Sequence, residues 1–188
     1  ELPADVGLRG VADGVPESDL STETALREFV FSAPVGAFCA DTNWTVPEKF
    51  RWRVMMTPAE IRRKVAAYYQ VGDIIDLRTG PRGVSGRLRS LTIVGAKGEV
   101  RVDRELPIRQ ALGNIRSAMF VVEIDRDSKG RPTRFLFTGG GWGHGVGMCQ
   151  VGAMGRAARG QTFDEILRAY YSGAVMASIF APPVAVAQ

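Results

Sequence analysis

The residues most able to do chemistry lie in one short stretch, Gly139-Gly-Gly-Trp-Gly-His-Gly-Val-Gly147, followed directly by Met148, Cys149 and Gln150. Six glycines in nine residues supply positive φ angles and let backbone approach a neighbour or a ligand closely. The stretch holds the chain's one histidine, His144, beside Trp142. A lone histidine on a glycine loop suits binding or positioning: it contacts a ligand, or it holds the loop by hydrogen bonds through one ring nitrogen. Trp142 suits stacking on a sugar face, or else plugs the edge of the core. No Gly-Lys-Ser/Thr ending follows and no register satisfies Gly-x-Gly-x-x-Gly, so phosphate-loop and dinucleotide readings fail.

Cys39, His144 and Cys149 are a candidate zinc set, because zinc takes mixed nitrogen and sulfur ligands, although a closed site wants a fourth. The two cysteines also permit a disulfide, or simple burial as small apolar residues. A Cys149–His144 nucleophilic dyad lacks an orienting third group. Arg116 is a candidate for a carboxylate or glycan contact, or for a fold-stabilising ion pair. Of the acids, Glu123, Asp125 and Asp127 fall on or beyond a strand and Asp164 and Glu165 start a helix. None is a convincing general acid for glycosidic cleavage.

The elements that carry these residues follow from periodicity and punctuation. Thr22 to Phe31 reads as a short amphipathic helix, with turns near Pro16 and Pro34. Phe50 to Met56 alternates as a strand. Thr57-Pro-Ala-Glu60 is a capping box with proline at the first helical position, opening a helix to about Tyr69. Strands follow over Asp73–Thr79, Ser85–Val94 and Glu99–Val102, the last two joined through Ala96-Lys97-Gly98. Pro107 to Leu112 is a helix stopped by Gly113. Met119–Asp125 and Thr133–Thr138 form a hairpin around Ser128-Lys129-Gly130, and this second strand delivers the glycine loop. A small-residue helix from Met148 to Arg159 leads away. A second capping box, Thr162-Phe-Asp-Glu165, launches a helix to Tyr171 that Gly173 closes, with Tyr170 and Tyr171 on its buried side. Hairpins mixed with short helices around one core make the chain α+β.

The chain has 188 residues, 45% hydrophobic and 23% charged, an ordinary balance for a globular fold. No apolar run reaches the length of a membrane helix, and no signal peptide opens the sequence. The net charge of +4 is uneven: residues 1–48 carry −7, and the rest carries +11. Three parts are expected: an acidic segment 1–48, a core 49–173 and an apolar, proline-containing tail 174–188. The basic part favours an anionic partner such as cell wall, or else the acidic segment packs over it; no nucleic-acid signature accompanies it.

Gly141-Trp-Gly-His-Gly-Val-Gly-Met-Cys-Gln-Val-Gly-Ala153 with Thr162-Phe-Asp-Glu-Ile-Leu-Arg-Ala-Tyr-Tyr-Ser-Gly173 resembles the end of the SpoIID/LytB family (stage II sporulation protein D and its relatives). Ser85-Gly-Arg-Leu-Arg-Ser-Leu-Thr-Ile, Ile108-Arg-Gln-Ala-Leu-Gly and Arg116-Ser-Ala-Met-Phe120 are similar to its middle blocks, in the same order. The resemblance implies a peptidoglycan lytic transglycosylase of the cell envelope or outside it. It implies glycan contacts at Trp142, His144, Gln150 and Arg116. The family's catalytic glutamate, in a Glu-x-Pro setting, has no counterpart; Val15-Pro-Glu17 stands in the wrong context. The chain is therefore expected to be the C-terminal part of an incomplete domain, with an N-terminal segment or an amidase as partner. The alternative from the same family name is a non-catalytic wall-binding module that enhances an amidase. A zinc-dependent hydrolase is a further alternative, resting on Cys39, His144 and Cys149.

Overall fold

The computed structural model describes residues 19–32, 36–40, 43, 46–171, 173 and 175–177. The expected turns at Pro16 and Pro34, the Val15-Pro-Glu17 lookalike and nearly all of the apolar tail lie outside the described residues. The element order is α1 (Glu23–Phe31), α2 (Pro47–Phe50), β1 (Arg51–Met56), α3 (Pro58–Val65), β2 (Ile74–Thr79) and β3 (Ser90–Gly95). Then come β4 (Gly98–Asp103), α4 (Glu105–Ala111), β5 (Phe120–Arg126), β6 (Pro132–Gly140), α5 (Gln150–Ala158) and α6 (Phe163–Tyr170). Helices and two antiparallel three-stranded sheets make the fold α+β, as the sequence pattern implies.

Local chemistry sets most boundaries. The Thr22 hydroxyl caps α1 by accepting from the Ala25 N–H at 3.2 Å. Both capping boxes form: the Thr57 N–H donates to Glu60 and the Thr162 N–H to Glu165, each at 2.7 Å. Several boundaries differ from expectation: Phe50 ends helix α2 instead of opening the first strand, α4 starts at Glu105 and α5 at Gln150. Helix α3 ends at Val65, not near Tyr69, because the Ala67 and Tyr68 N–H groups bond back only three residues, to the Lys64 and Val65 carbonyls. Residues 85–89 do not join β3, since Gly86 adopts φ +77° and the chain turns there. Strand β6 runs two residues past Thr138, taking in Gly139 and Gly140.

The sheets are ordered β1-β6-β5 and β2-β3-β4. One core lies between them. Trp52, Phe120, Phe135 and Phe137 from the first sheet meet Leu77, Leu91, Ile93 and Val102 from the second, closed by Ile61, Val65, Ile108 and Leu112 of the helices. Phe120 and Phe137 pack edge to face at 5.3 Å. The outer face of the first sheet has a smaller core, Leu26 and Val30 of α1 on Met119 and Val121. Arg82, 7% exposed, fastens α1 to the main body. It donates to Glu23 and to the Gly86 and Phe120 carbonyls.

Candidate functional site

The glycine loop leaves the end of β6 and is anchored at each step. Gly139 is a strand residue because nothing larger fits: a Cβ there would lie 2.4 Å from the Trp52 ring and 2.5 Å from the Met119 carbonyl. The Ser117 hydroxyl donates to the Gly140 carbonyl at 2.7 Å, and Trp52 Nε1–H to the Gly141 carbonyl at 2.9 Å. The Gly141 and Gly143 N–H groups donate to the Phe50 and Arg116 carbonyls, both at 2.9 Å.

Beyond the strand, Gly141, Gly143, Gly145 and Gly147 all have positive φ, between +67° and +103°. Trp142, His144 and Val146 alternate with them, so the backbone winds tightly and throws its three side chains outward; all three are exposed. The loop closes over the guanidinium of Arg87, which is 7% exposed and donates to the Gly143 carbonyl at 3.2 Å. A Cβ on Gly145 would sit 2.1 Å from that guanidinium. At the far end the Met148 N–H donates to the Tyr171 hydroxyl at 3.1 Å.

Trp142 is 59% exposed, which decides between its two readings: it does not plug the core. Lys49 Nζ lies 5.4 Å and the Arg116 guanidinium 5.9 Å from its ring centre. Among the described residues neither cation has a carboxylate partner, so the ion-pair account of Arg116 does not hold there. Exposed His144 accepts from the Val146 N–H through Nδ1 at 3.0 Å. In the neutral ring that leaves Nε2 as the N–H, available to a ligand. Gln150 is exposed at the first turn of α5.

Cys149 is exposed and caps α5, its sulfur accepting from the Gly152 N–H at 3.3 Å; Cys39 is half-buried, and both are thiols. Among the described residues no three His, Cys, Asp or Glu side chains gather as a metal-binding group, so Cys39, His144 and Cys149 are not brought together. Of the acids weighed above, Glu123 pairs with Arg27, Asp125 with Arg134, Asp127 with Arg131 and Asp164 with Arg168. The paired tyrosines are only partly buried, and Ile166 is the buried residue of α6. Tyr171 turns toward the loop, where its hydroxyl accepts from the Met148 N–H.

Sequence reasoning passed over four residues of this site. Lys49 carries no motif. Arg87 and Ser117 sit inside blocks that were singled out only as blocks, and Trp52 read as an ordinary strand residue. Each acts across the fold, on residues 23 to 93 positions away in the chain, and no local pattern marks such a partner.

A family model described as a domain of unknown function (DUF8618) matches residues 7–147, three quarters of the chain. The chain belongs to this family. Its match ends at Gly147, so it takes in both sheets and the whole glycine loop. Two curated proteins are similar over short stretches. An amidase enhancer of Bacillus subtilis (strain 168) is 41% identical over 46 residues, 24% of this chain and 6% of that protein. An uncharacterized protein of Brachyspira hyodysenteriae (strain ATCC 49526 / WA1) is 55% identical over 38 residues, 20% of this chain and 10% of its own length. The match thus spans a tenth or less of either relative.

Proposed function

We propose that the glycine-loop face binds the glycan strands of peptidoglycan, and that this chain is a wall-binding part of an amidase-enhancing protein of the cell envelope. The observation that carries this reading is Trp142, a large exposed ring on a loop whose own backbone groups are anchored from Gly140 to Met148. An exposed indole beside Lys49 and Arg116 offers a flat apolar face and two hydrogen-bonding cations, the pairing that suits a sugar ring with anionic substituents. The short similarity to an amidase enhancer supports the same class. Binding of the purified chain to sacculi, measured by co-sedimentation, tests it. Trp142→Ala is expected to weaken binding by about tenfold, the effect of removing an aromatic anchor. Unchanged binding refutes the reading.

Lytic transglycosylation of the strand is a second reading, favoured by the run of motifs from Ser85 to Gly173. It needs an acid held protonated, with a raised pKa. Among the described residues the shifted carboxyls, Asp19, Glu60, Asp127 and Glu165, are all lowered. Release of anhydro-muropeptides from purified glycan by this chain alone establishes the catalytic reading over the binding one.

A further inference from the structure

On the outer face of the first sheet, a cleft of about 450 Å³ opens between the C-terminal end of α1 and strand β1. Phe31, Ser32, Arg51, Arg53 and Thr138 are among its lining residues; Trp142 is not. The register explains the grouping. Arg53 pairs with Thr138 and Arg51 with Gly140 across β1 and β6, so both arginines and the threonine share one face.

Two buried polar atoms without a hydrogen-bond partner belong to residues of this one cleft, Thr138 Oγ1 and Arg51 Nε. Thr138 is only 3% exposed. Leaving such groups unmatched is costly, and an unmatched group in a native fold calls for an explanation. The rest of Arg51 is engaged. Its guanidinium lies over the Phe29 and Phe50 rings at 4.2 and 4.3 Å and donates to the Phe29 and Phe50 carbonyls. The Phe29 bond also meets the negative end of α1, which has no basic residue in its own last turn. Burial pushes the Arg51 guanidinium down to about 10, offset in part by neighbouring Cys39. Arg53 is exposed at the rim, 5.7 Å from the Phe31 ring, and has no carboxylate partner among the described residues. Phe31 is itself 45% exposed. The cleft therefore combines an accessible cation, a second cation short of one acceptor, a hydroxyl short of a partner and an aromatic wall. Its volume is within the range of small-molecule sites.

We propose that this cleft is a carboxylate-binding subsite, taking the acid group of a small sugar acid or of an N-acylated amino acid. Arg53 draws the carboxylate in, and the ligand supplies the acceptor that Thr138 Oγ–H and Arg51 Nε–H lack in the protein itself. Aliphatic atoms next to the acid group rest on Phe31. The assignment does not depend on the loop binding glycan.

An NMR titration of the whole chain tests it with N-acetylmuramic acid and N-acetyl-D-glutamate, against neutral N-acetylglucosamine and N-acetyl-D-glutamine amide. One or both acids are expected to shift the Arg53 and Thr138 amides; which acid does so identifies the source of the carboxylate. Arg53→Gln is expected to weaken the acid by about tenfold, as loss of a charge-assisted bond does. Thr138→Val is expected to weaken it by about threefold, with a melting temperature equal to or above that of the parent, since a methyl replaces an unmatched hydroxyl. Trp142→Ala is expected to leave the acid's affinity unchanged, which separates this site from the loop. Equal binding of the neutral compounds, equal binding of inorganic phosphate, no binding of either acid, or an Arg53→Gln variant with full affinity overturns the proposal.

Discussion

The β2-β3-β4 sheet and the loop end of the other sheet use their basic residues differently. On the β2-β3-β4 sheet, Arg78 lies between Asp76 and Glu99, and Arg101 pairs with Asp103; Arg126 reaches over from β5 to the same Asp76. These are exposed, mutually neutralising pairs of the kind that contribute little to stability. At the loop end of the other sheet, Lys49, Arg51, Arg53 and Arg116 face aromatic rings and backbone carbonyls instead of acids. Positive charge left without acids around an exposed tryptophan suits a surface that waits for an anionic or polyhydroxyl ligand. The same kind of charge thus serves as paired surface in one region and, under the proposed function, as a recognition element in the other.

That contrast is open to direct tests. The largest effect is expected from Gly139→Ala, whose Cβ has no room between the Trp52 ring and the Met119 carbonyl. We expect a loss of about 3 kcal/mol by denaturant unfolding, since packed core rather than a side-chain tip must yield. Gly145→Ala comes next, at about 2 kcal/mol, combining a positive φ with a clash against the buried Arg87 guanidinium. It should also displace Trp142, read as a change in tryptophan fluorescence, whereas Gly98→Ala in the other sheet meets open space, leaves loop fluorescence unchanged and tests φ +130° alone.

Lys49→Gln with Arg116→Gln should weaken binding to sacculi by about tenfold while stability moves by less than about 0.5 kcal/mol. Arg78→Gln on the other sheet should change neither. Equal losses from both substitutions would mean that net charge alone governs binding and would erase the distinction between the sheets. His144→Ala should cost within roughly 1 kcal/mol of stability, because water replaces its bond to the Val146 N–H, and should still weaken glycan binding. A large stability loss with binding intact would make His144 structural.

The smallest effect concerns acid. Glu60 and Glu165 are held below their ordinary value of 4.5, first by the backbone N–H of Thr57 and Thr162 and then by the hydroxyls. Their folded pKa values lie below the unfolded ones, so their contribution is present above the ordinary carboxylate range. It is lost as pH falls through that range to the lowered folded values. Glu60→Gln and Glu165→Gln should therefore flatten the decline of melting temperature with acid. An unaltered decline would show that the capping boxes do not set it.

Much of the fold was legible because its signals are local. Thr57-Pro-Ala-Glu60 and Thr162-Phe-Asp-Glu165 specify helix starts through bonds that close within three residues, and both form where the pattern puts them. The β3–β4 and β5–β6 hairpins follow from alternation around Lys97-Gly98 and Lys129-Gly130. The strand reading of Ser85–Val94 failed at its start because Gly86 takes a positive φ among otherwise strand-like residues, and a glycine's choice of hand is not written in its neighbours.

By itself, the sequence determined that a tight glycine loop lies within residues 139–147 with Trp142 and His144 on it, since glycine density allows such a backbone. Tertiary structure decided what the loop is made of and what surrounds it. Gly139 became strand because Trp52 needed its missing side chain, and Gly140 beside it is crowded by Arg51 and Met119. Arg87 went beneath the loop and Lys49 and Arg116 came to Trp142 through contacts that no periodicity encodes. Trp142 itself was left outside for the same reason: Trp52, Phe120 and Phe137 already fill the core beneath the sheet, and a second indole has no space there.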